Sequence, residues 1–297
     1  LLVIGLNFHF AVLLPRLARA SRELPPVWLL SNQEAMLWTS VFLAVWSFAT
    51  LWITAVIDPG ILPALSSPLK PKPPTDGTSF GGPLGYRYCS TCNIFRPPRS
   101  KHCNSCNVCV SHFDHHCPWT GNCIVERNHR PFFFFVTFVT FLSLFSMVTD
   151  FRLLMCAYQL FMIESGDPFP SNMSDLTDID NLIQVGHSTS SAVWHVLAHQ
   201  PVVVVYGVFI FLCSWSLFSL FCYHVLIISV AQTTNERVRG VYGITPNTAD
   251  RGCCLNWVNF CCKTSPGSRL PSDFSAIVNL EKPRVETVWS RQDPTDL

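Results

Sequence analysis

Charge is what this sequence has least of. Asp, Glu, Lys and Arg make up 13% of its 297 residues, against an average of roughly 25% in globular domains. That is too little to clothe a soluble surface of this size. A charge excess is lacking too: 20 Lys and Arg against 19 Asp and Glu leave a net charge of +1. This excludes the strongly basic profile of a general nucleic-acid binder and the acidic profile of a disordered, solvating chain. No internal repeat is visible. What is present is apolar, 49% of the residues with Phe alone occurring 23 times, far too hydrophobic for disorder over most of the length. The composition is that of a membrane protein carrying a polar insert.

The uncharged runs locate the spans. Residues 35–57 lie between Glu34 and Asp58 without a charge. At 1.5 Å per residue they reach about 34 Å, enough to cross a ~30 Å hydrocarbon core with some tilt. Residues 131–149 form a Phe-rich run that can continue past Asp150 and Arg152 to Ile163, and residues 201–230 form another. Residues 1–14, apolar apart from Asn7 and His9, read as part of a preceding span, which makes four. Ala18-Arg19-Ala20 offers the alternative of a signal-peptidase site.

Loop charges orient the spans. Residues 61–130 hold Lys70, Lys72, Arg87, Arg96, Arg99, Lys101, Arg127 and Arg130 against three acids, whereas 164–200 hold Glu164, Asp167, Asp175, Asp178 and Asp180 without Lys or Arg. The positive-inside rule then puts the first segment in the cytosol and the second in the lumen. Arg16, Arg19 and Arg22 in the first luminal loop run against the rule, and the sequon Asn172-Met173-Ser174 on the luminal side runs with it. Residues 63–83, dense in Pro, Gly, Ser and Thr, read as a flexible linker, and disorder is expected after about Pro283.

Seven of the 14 cysteines fall between Cys89 and Cys123, interleaved with His. The order is Cys89-x2-Cys92, His102-Cys103-x2-Cys106-x2-Cys109, Asp114-His115-His116-Cys117 and Cys123. Such spacings are those of zinc thiolates in a reducing compartment more than of disulfides. Two tetrahedral sites need eight ligands, and seven Cys with His102, His112, His115 and His116 offer eleven. Spacing does not say which Cys is spare, and it suits a purely structural double zinc ribbon equally. Cys117 stands out because it follows a carboxylate and two imidazoles, an arrangement that lowers a thiol pKa and holds a base in its useful tautomer.

These residues resemble the DHHC protein S-acyltransferases, or palmitoyltransferases. The likeness extends to Arg96-Pro97-Pro98-Arg99, Pro118-Trp119, Asn128, Asp58-Pro59-Gly60 after one span and Thr233-Thr234-Asn235-Glu236 after the last. Tyr242, Gly252 and Asn256 are similar to the family's short C-terminal motif, so that the resemblance covers about residues 1–260. It implies one zinc held by Cys89, Cys92, His102 and Cys109, and another by Cys103, Cys106, His116 and Cys123. It implies further that Cys117 is the nucleophile, His115 its base and Asp114 the residue orienting His115. His129, where many relatives carry an aromatic residue, departs from the pattern.

The implied fold is an all-α multi-pass membrane protein of four transmembrane helices with a cytosolic, zinc-stabilised, Cys-rich domain of short β-hairpins. Its expected parts are 1–60 (two spans and the Asp-Pro-Gly element), 61–85 (linker), 86–130 (zinc domain), 131–231 (two spans with a luminal loop at about 164–200) and 232–297 (cytosolic C-terminal region). The implied reaction moves a palmitoyl group from acyl-CoA to protein cysteines through an acyl-Cys117 intermediate. Cys117 lies 14 residues before Pro131 and hence near the membrane surface, and burying a 16-carbon chain contributes on the order of 10 kcal/mol.

Phe135, Phe138 and Leu142, at i, i+3 and i+7, are candidates to line an acyl cavity or simply to pack helices. Arg96, Arg99 and Lys101 are candidates to meet CoA phosphates or simply to mark the cytosolic face. Expected partners are the bilayer, cytosolic or membrane-anchored protein substrates and an accessory subunit, with no nucleic acid. The expected location is an endomembrane, Golgi or endoplasmic reticulum, or the plasma membrane. An idle zinc adaptor would need no spare thiol beside Asp-His, and a transporter would carry more ionisable residues in its spans.

Overall fold

The computed structural model describes residues 5, 8–16, 33–64, 87–165, 179–243 and 246–268. The signal-peptidase-like tripeptide, Arg19 and Arg22, nearly all of the linker, Asp167, Asp175 and Asp178, the sequon and the C-terminal tail lie outside them. The chain divides into two compact units: Leu1–Ala49 with Phe134–Cys222, and Thr50–Phe133 with Tyr223–Leu297.

Four long helices, α1 (Gln33–Val56), α2 (His129–Glu164), α3 (Ile179–His199) and α4 (Pro201–Ser229), supply the helical framework. Among the described residues three helices are long and apolar enough to cross a membrane, at Glu34–Val56, His129–Glu164 and Pro201–Ser229. A spanning helix satisfies its own backbone, and its hydroxyls need partners as well. Ser40, Ser47 and Thr149 donate back to the carbonyls of Met36, Leu43 and Phe145, at 2.7–2.8 Å.

In the first unit, residues 8–16 are helical with a π-helical turn at His9–Leu13. Leu13, Leu153, Val203, Tyr206 and Ile210 pack into one apolar cluster, and the buried His9 imidazole meets the Ser40 hydroxyl at 2.8 Å. The run past Asp150 and Arg152 is one uninterrupted helix, and both charged side chains have neighbours within the protein. Asp150 is buried against Gly207, where a Cβ would collide with its carboxylate, and Arg152 reaches the Met36 sulfur at 3.1 Å. The segment 164–200, expected as a loop, instead contains α3. Ala192 and Val196, four residues apart, are its buried side. Acidic residues and the Ser/Thr run before Ala192 hide that periodicity. His195 and His199, one turn apart on α3, stack at 3.9 Å with Phe161 beside them.

The second unit is built on three antiparallel hairpins: β2 (Arg87–Cys89) with β3 (Ile94–Arg96), β4 (Lys101–Cys103) with β5 (Val108–Val110), and β6 (His115–Cys117) with β7 (Asn122–Ile124). The two-residue β1 (Ile61–Leu62) adds to β5. Each hairpin turns through a residue with positive φ, namely Asn93 (57°), Asn107 (54°) and Gly121 (62°). Asn and Gly are the residues that tolerate this left-handed conformation.

Polar side chains tie the hairpins to their surroundings. Asn122 Nδ2 donates to the carbonyls of Thr54, Ala55 and Ile57, supplying partners that the last turn of α1 lacks. Fully buried Asn128 receives Val125 N–H and donates to Cys123 O and Thr54 O. Asp58 caps the Gly60 and Ile61 amides and pairs with Arg127 at 3.3 Å. After α4 come a short helix α5 (Thr234–Val238), opened by a Thr233/Glu236 capping box, and α6 (Cys253–Cys262). Asn256, buried, bonds Ser229 O and Asp250, and Cys253, Cys254, Cys261 and Cys262 are exposed.

Candidate active site and metal centres

The three hairpins bring together two groups of ligand atoms, each within 4.8 Å: Cys89, Cys92, His102 and Cys109 from the first and second, and Cys103, Cys106, His116 and Cys123 from the second and third. Both histidines present Nδ1. Its distances to sulfur are 3.4 Å (Cys92) and 3.7 Å (Cys109) in the first group, and 3.7, 3.4 and 3.8 Å (Cys103, Cys106, Cys123) in the second. A tetrahedral ion with bonds of about 2.3 Å to sulfur and about 2.0–2.1 Å to nitrogen separates S from N by about 3.6 Å and S from S by about 3.8 Å. The observed edges, including 3.5 Å between Cys106 and Cys123, fit such an ion in both groups. His112 belongs to neither and instead meets Glu126 at 2.9 Å.

The third hairpin repeats the local plan of the other two without the second Cys of their Cys-x2-Cys turns. Cys89 accepts backbone N–H bonds from Thr91 and Cys92, and Cys103 from Ser105 and Cys106. Cys117 accepts the equivalent pair from Trp119 and Thr120. Where the first two hairpins carry Cys92 and Cys106, this one carries Thr120, which is buried and hydrogen-bonded to Cys117. The Cys117 sulfur therefore sits in a loop shaped for a thiolate and outside both ligand groups.

Its neighbours favour the anion further. His115 Nδ1 donates to Asp114 Oδ2 at 2.6 Å, which leaves Nε2 as the ring nitrogen for the hydrogen-bonded Cys117. Burial works against the imidazolium, but the bonds to Asp114 and Cys117 outweigh it and raise His115 to about 9. Burial likewise pushes the Cys117 thiol up, and His115 with the Trp119 and Thr120 amides brings it below its ordinary value. Asp114 is 2% exposed. Against the effect of burial, the bond from His115 and the Thr234 N–H hold its carboxyl well below the usual carboxylate range. Thr234 N–H reaches Asp114 Oδ1 at 2.6 Å and Asn235 N–H reaches the Asp114 carbonyl at 3.2 Å. Thr234 thus meets Asp114 through its backbone, not its hydroxyl. Chemically, this is a thiol with an adjacent oriented base, the arrangement of nucleophilic catalysis by cysteine.

The basic residues have other partners. Arg99 forks onto Glu236 through Nε (2.6 Å) and Nη2 (2.7 Å) and also donates to Ala231 O. Glu236 is 5% exposed and additionally accepts Thr233 N–H and Tyr242 OH. Lys101 donates to Asn235 Oδ1 and lies 5.1 Å over the Phe113 ring. Both tie α5 to the hairpins through these bonds. Arg96 is half-buried.

The sequence match settles the family. Residues 84–241, more than half of the chain, match the model of the DHHC palmitoyltransferases. The chain belongs to the DHHC palmitoyltransferase family. It is 29% identical over 278 residues to Protein S-acyltransferase 8 of Arabidopsis thaliana, covering 86% of this chain and 61% of that protein. It is 32% identical over 257 residues to Palmitoyltransferase ZDHHC8 of Drosophila melanogaster (82% and 22%), and 32% over 211 residues to Palmitoyltransferase ZDHHC14 of Mus musculus (64% and 37%). The chain spans between about a fifth and three-fifths of these relatives' lengths.

This DHHC chain places Phe138 in a stack with Trp46 (centroids 5.9 Å apart), Leu142 buried and Phe135 half-buried on α2. Sequence reasoning missed His224 of α4, a buried imidazole 6.1 Å from the His115 ring, and it set His129 apart from the site although the two imidazoles lie 5.7 Å from each other. The one available signal was an ionisable residue within an otherwise uncharged run.

Proposed function

We propose that this protein is a protein S-acyltransferase that moves a long-chain acyl group, palmitoyl first, from acyl-CoA to cysteine thiols of other proteins. The observation that carries this reading is a Cys117 sulfur kept out of both ligand groups and hydrogen-bonded to the Asp114-oriented His115. His115 Nε2 takes the Cys117 proton, and the thiolate attacks the thioester carbonyl. The new carbon–sulfur bond forms on Cys117, and CoA leaves with the proton returned by His115. In the second half-reaction a target thiol gives its proton to His115 and takes the acyl group, and Cys117 is restored. Thioester exchange is nearly balanced, so positioning and thiolate generation are what the enzyme must supply.

Zinc is the ion proposed for both ligand groups, because three thiolates with one imidazole in tetrahedral array suit it. Its role is structural: all four positions are filled from the chain, and the folded loops carry Cys117. The acyl tail belongs in hydrocarbon, with Phe135, Phe138 and Leu142 of α2 as candidates to line it. Of the three basic residues first considered for CoA, Arg99 is ion-paired with Glu236, and Arg96 and Lys101 have no ion-pair partner among the described residues. The proposed layout keeps the parts 1–60, 61–85, 86–130, 131–231 and 232–297, four spans and the zinc domain on the cytosolic side. Endomembranes of the Golgi or endoplasmic reticulum are the proposed site of action, with an accessory subunit as a further partner.

The test is labelling of the purified protein with radioactive palmitoyl-CoA. Wild type takes up hydroxylamine-sensitive label, and Cys117→Ser takes up none while retaining its metal. Undiminished labelling of Cys117→Ser would remove the basis of this reading.

A further inference from the structure

Beside the Asp114–His115 pair stands a second set of ligating groups for which the proposed reaction has no use. Asp114, His129 and His224 bring one ligand atom each within 4.8 Å of one another. Asp114 is 2% and His224 1% exposed. Each histidine has a buried ring nitrogen without a hydrogen-bond partner, Nε2 of His129 and Nδ1 of His224. A buried polar atom left unpaired costs about 1–3 kcal/mol, so two of them on imidazoles grouped with one carboxylate ask for an occupant.

The surroundings narrow its chemistry. The imidazoles are ringed by Phe132, Phe260 and Tyr223, with centroids 5.2, 5.3 and 5.8 Å away. Such apolar neighbours favour a small ion over a large polar ligand. Two neutral imidazoles and one carboxylate, with a position left for water, are a donor set for a divalent transition ion. Bonds of about 2.0–2.1 Å would need the ligand atoms about 3.3 Å apart, a contraction within reach of ring and carboxylate rotation.

We propose that Asp114, His129 and His224 form a third, reversible divalent-metal site, taking zinc, that restrains the acyltransferase when filled. Asp114 is the shared element. Its Oδ2 receives His115 Nδ1 and its Oδ1 receives Thr234 N–H. An ion bonded to this carboxylate draws off the electron density that orients and supports His115, and Cys117 loses its base. The regulatory part rests on the acyltransferase reading, whereas the metal site does not.

The test uses the full-length protein in detergent with its first two ions in place, titrated with Co2+. Wild type is expected to bind one further equivalent whose visible spectrum lacks thiolate-to-cobalt charge transfer. His129→Phe and His224→Phe are each expected to lose that equivalent while keeping the thiolate-bound pair and the ability to form acyl-enzyme. Zn2+ added to wild type should slow acyl-enzyme formation in step with occupancy, and the two variants should be indifferent. Saturation of wild type at two equivalents overturns the site, whether or not the variants fold. So does a third equivalent that survives in both variants. A third equivalent that leaves acyl-enzyme formation unchanged overturns the restraint alone. Absence of acyl-enzyme under every condition overturns the acyltransferase reading while the cobalt stoichiometry still decides the site.

Discussion

Glu236→Ala tests how the site is held together. The substitution strips a bidentate partner from Arg99, whose side chain is 25% exposed, and removes the acceptor of Thr233 N–H and Tyr242 OH. Removing one partner of a buried ion pair costs about 3–5 kcal/mol. Partial exposure of Arg99 reduces this, and a figure of about 2–3 kcal/mol is expected once the lost capping box is included. At about 2–4 °C per kcal/mol for a domain of 150–250 residues, the melting temperature should fall by about 4–12 °C.

The assay is thermal unfolding of the detergent-solubilised protein, run on Glu236→Ala, Arg99→Met and the double Arg99→Met/Glu236→Met. The double variant leaves no buried charge unpaired and should be less destabilised than the sum of the two singles by about 1 kcal/mol or more. Because α5 carries the amide that holds Asp114, Glu236→Ala should also slow alkylation of Cys117. Strict additivity of the two singles, or a shift under about 1 °C in Glu236→Ala, would refute the claim that this pair fixes α5.

Three further outcomes follow from the same geometry. The thiolate at Cys117 is favoured below the ordinary thiol value of about 8.5, so iodoacetamide should alkylate it at neutral pH, with the His115 imidazolium persisting up to about 9. His115→Ala should move the midpoint of that pH–rate profile upward, and an unmoved midpoint on peptide mapping would contradict the assigned hydrogen bond. Cys89→Ser opens the first ligand group and should release one ion and unfold the first hairpin, read as metal content and protease sensitivity, because structural zinc supplies much of the folding energy of such units. Thr120→Cys completes a Cys-x2-Cys pair in the third hairpin and, made in the His224→Phe background, should let added Zn2+ block alkylation of Cys117 by direct coordination, whereas His224→Phe alone should show no such block.

What was legible in the sequence tracks the range of the forces involved. Residues 35–57 and 201–230 read as helices because a run without charge has a single outcome in hydrocarbon. The ligands of the hairpins were readable as a pool because Cys-x2-Cys spacing is itself the turn geometry. Spacing did not divide that pool, since His102 and Cys109 are joined to Cys89 and Cys92 across strands; the division came from the family resemblance, and the two groups agree with it. α3 was not read because Asp180 and the Ser/Thr run at 188–191 interrupt its apolar pattern in sequence. The bonds of Arg99 and Lys101 were not legible because their partners, Glu236 and Asn235, come from the other side of two spans in sequence. His224 is similar: nothing local to an apolar run says that it meets His129 and His115.

The claim on which the account turns is that the Cys117 sulfur, free of metal, carries the acyl group. Peptide mapping by mass spectrometry after a single exposure to palmitoyl-CoA tests it directly. The account predicts one palmitoyl group, on the peptide containing Cys117, with both ions still bound to the protein. Acylation confined to Cys253, Cys254, Cys261 or Cys262 with Cys117 bare, or an ion released as Cys117 is acylated, would contradict it.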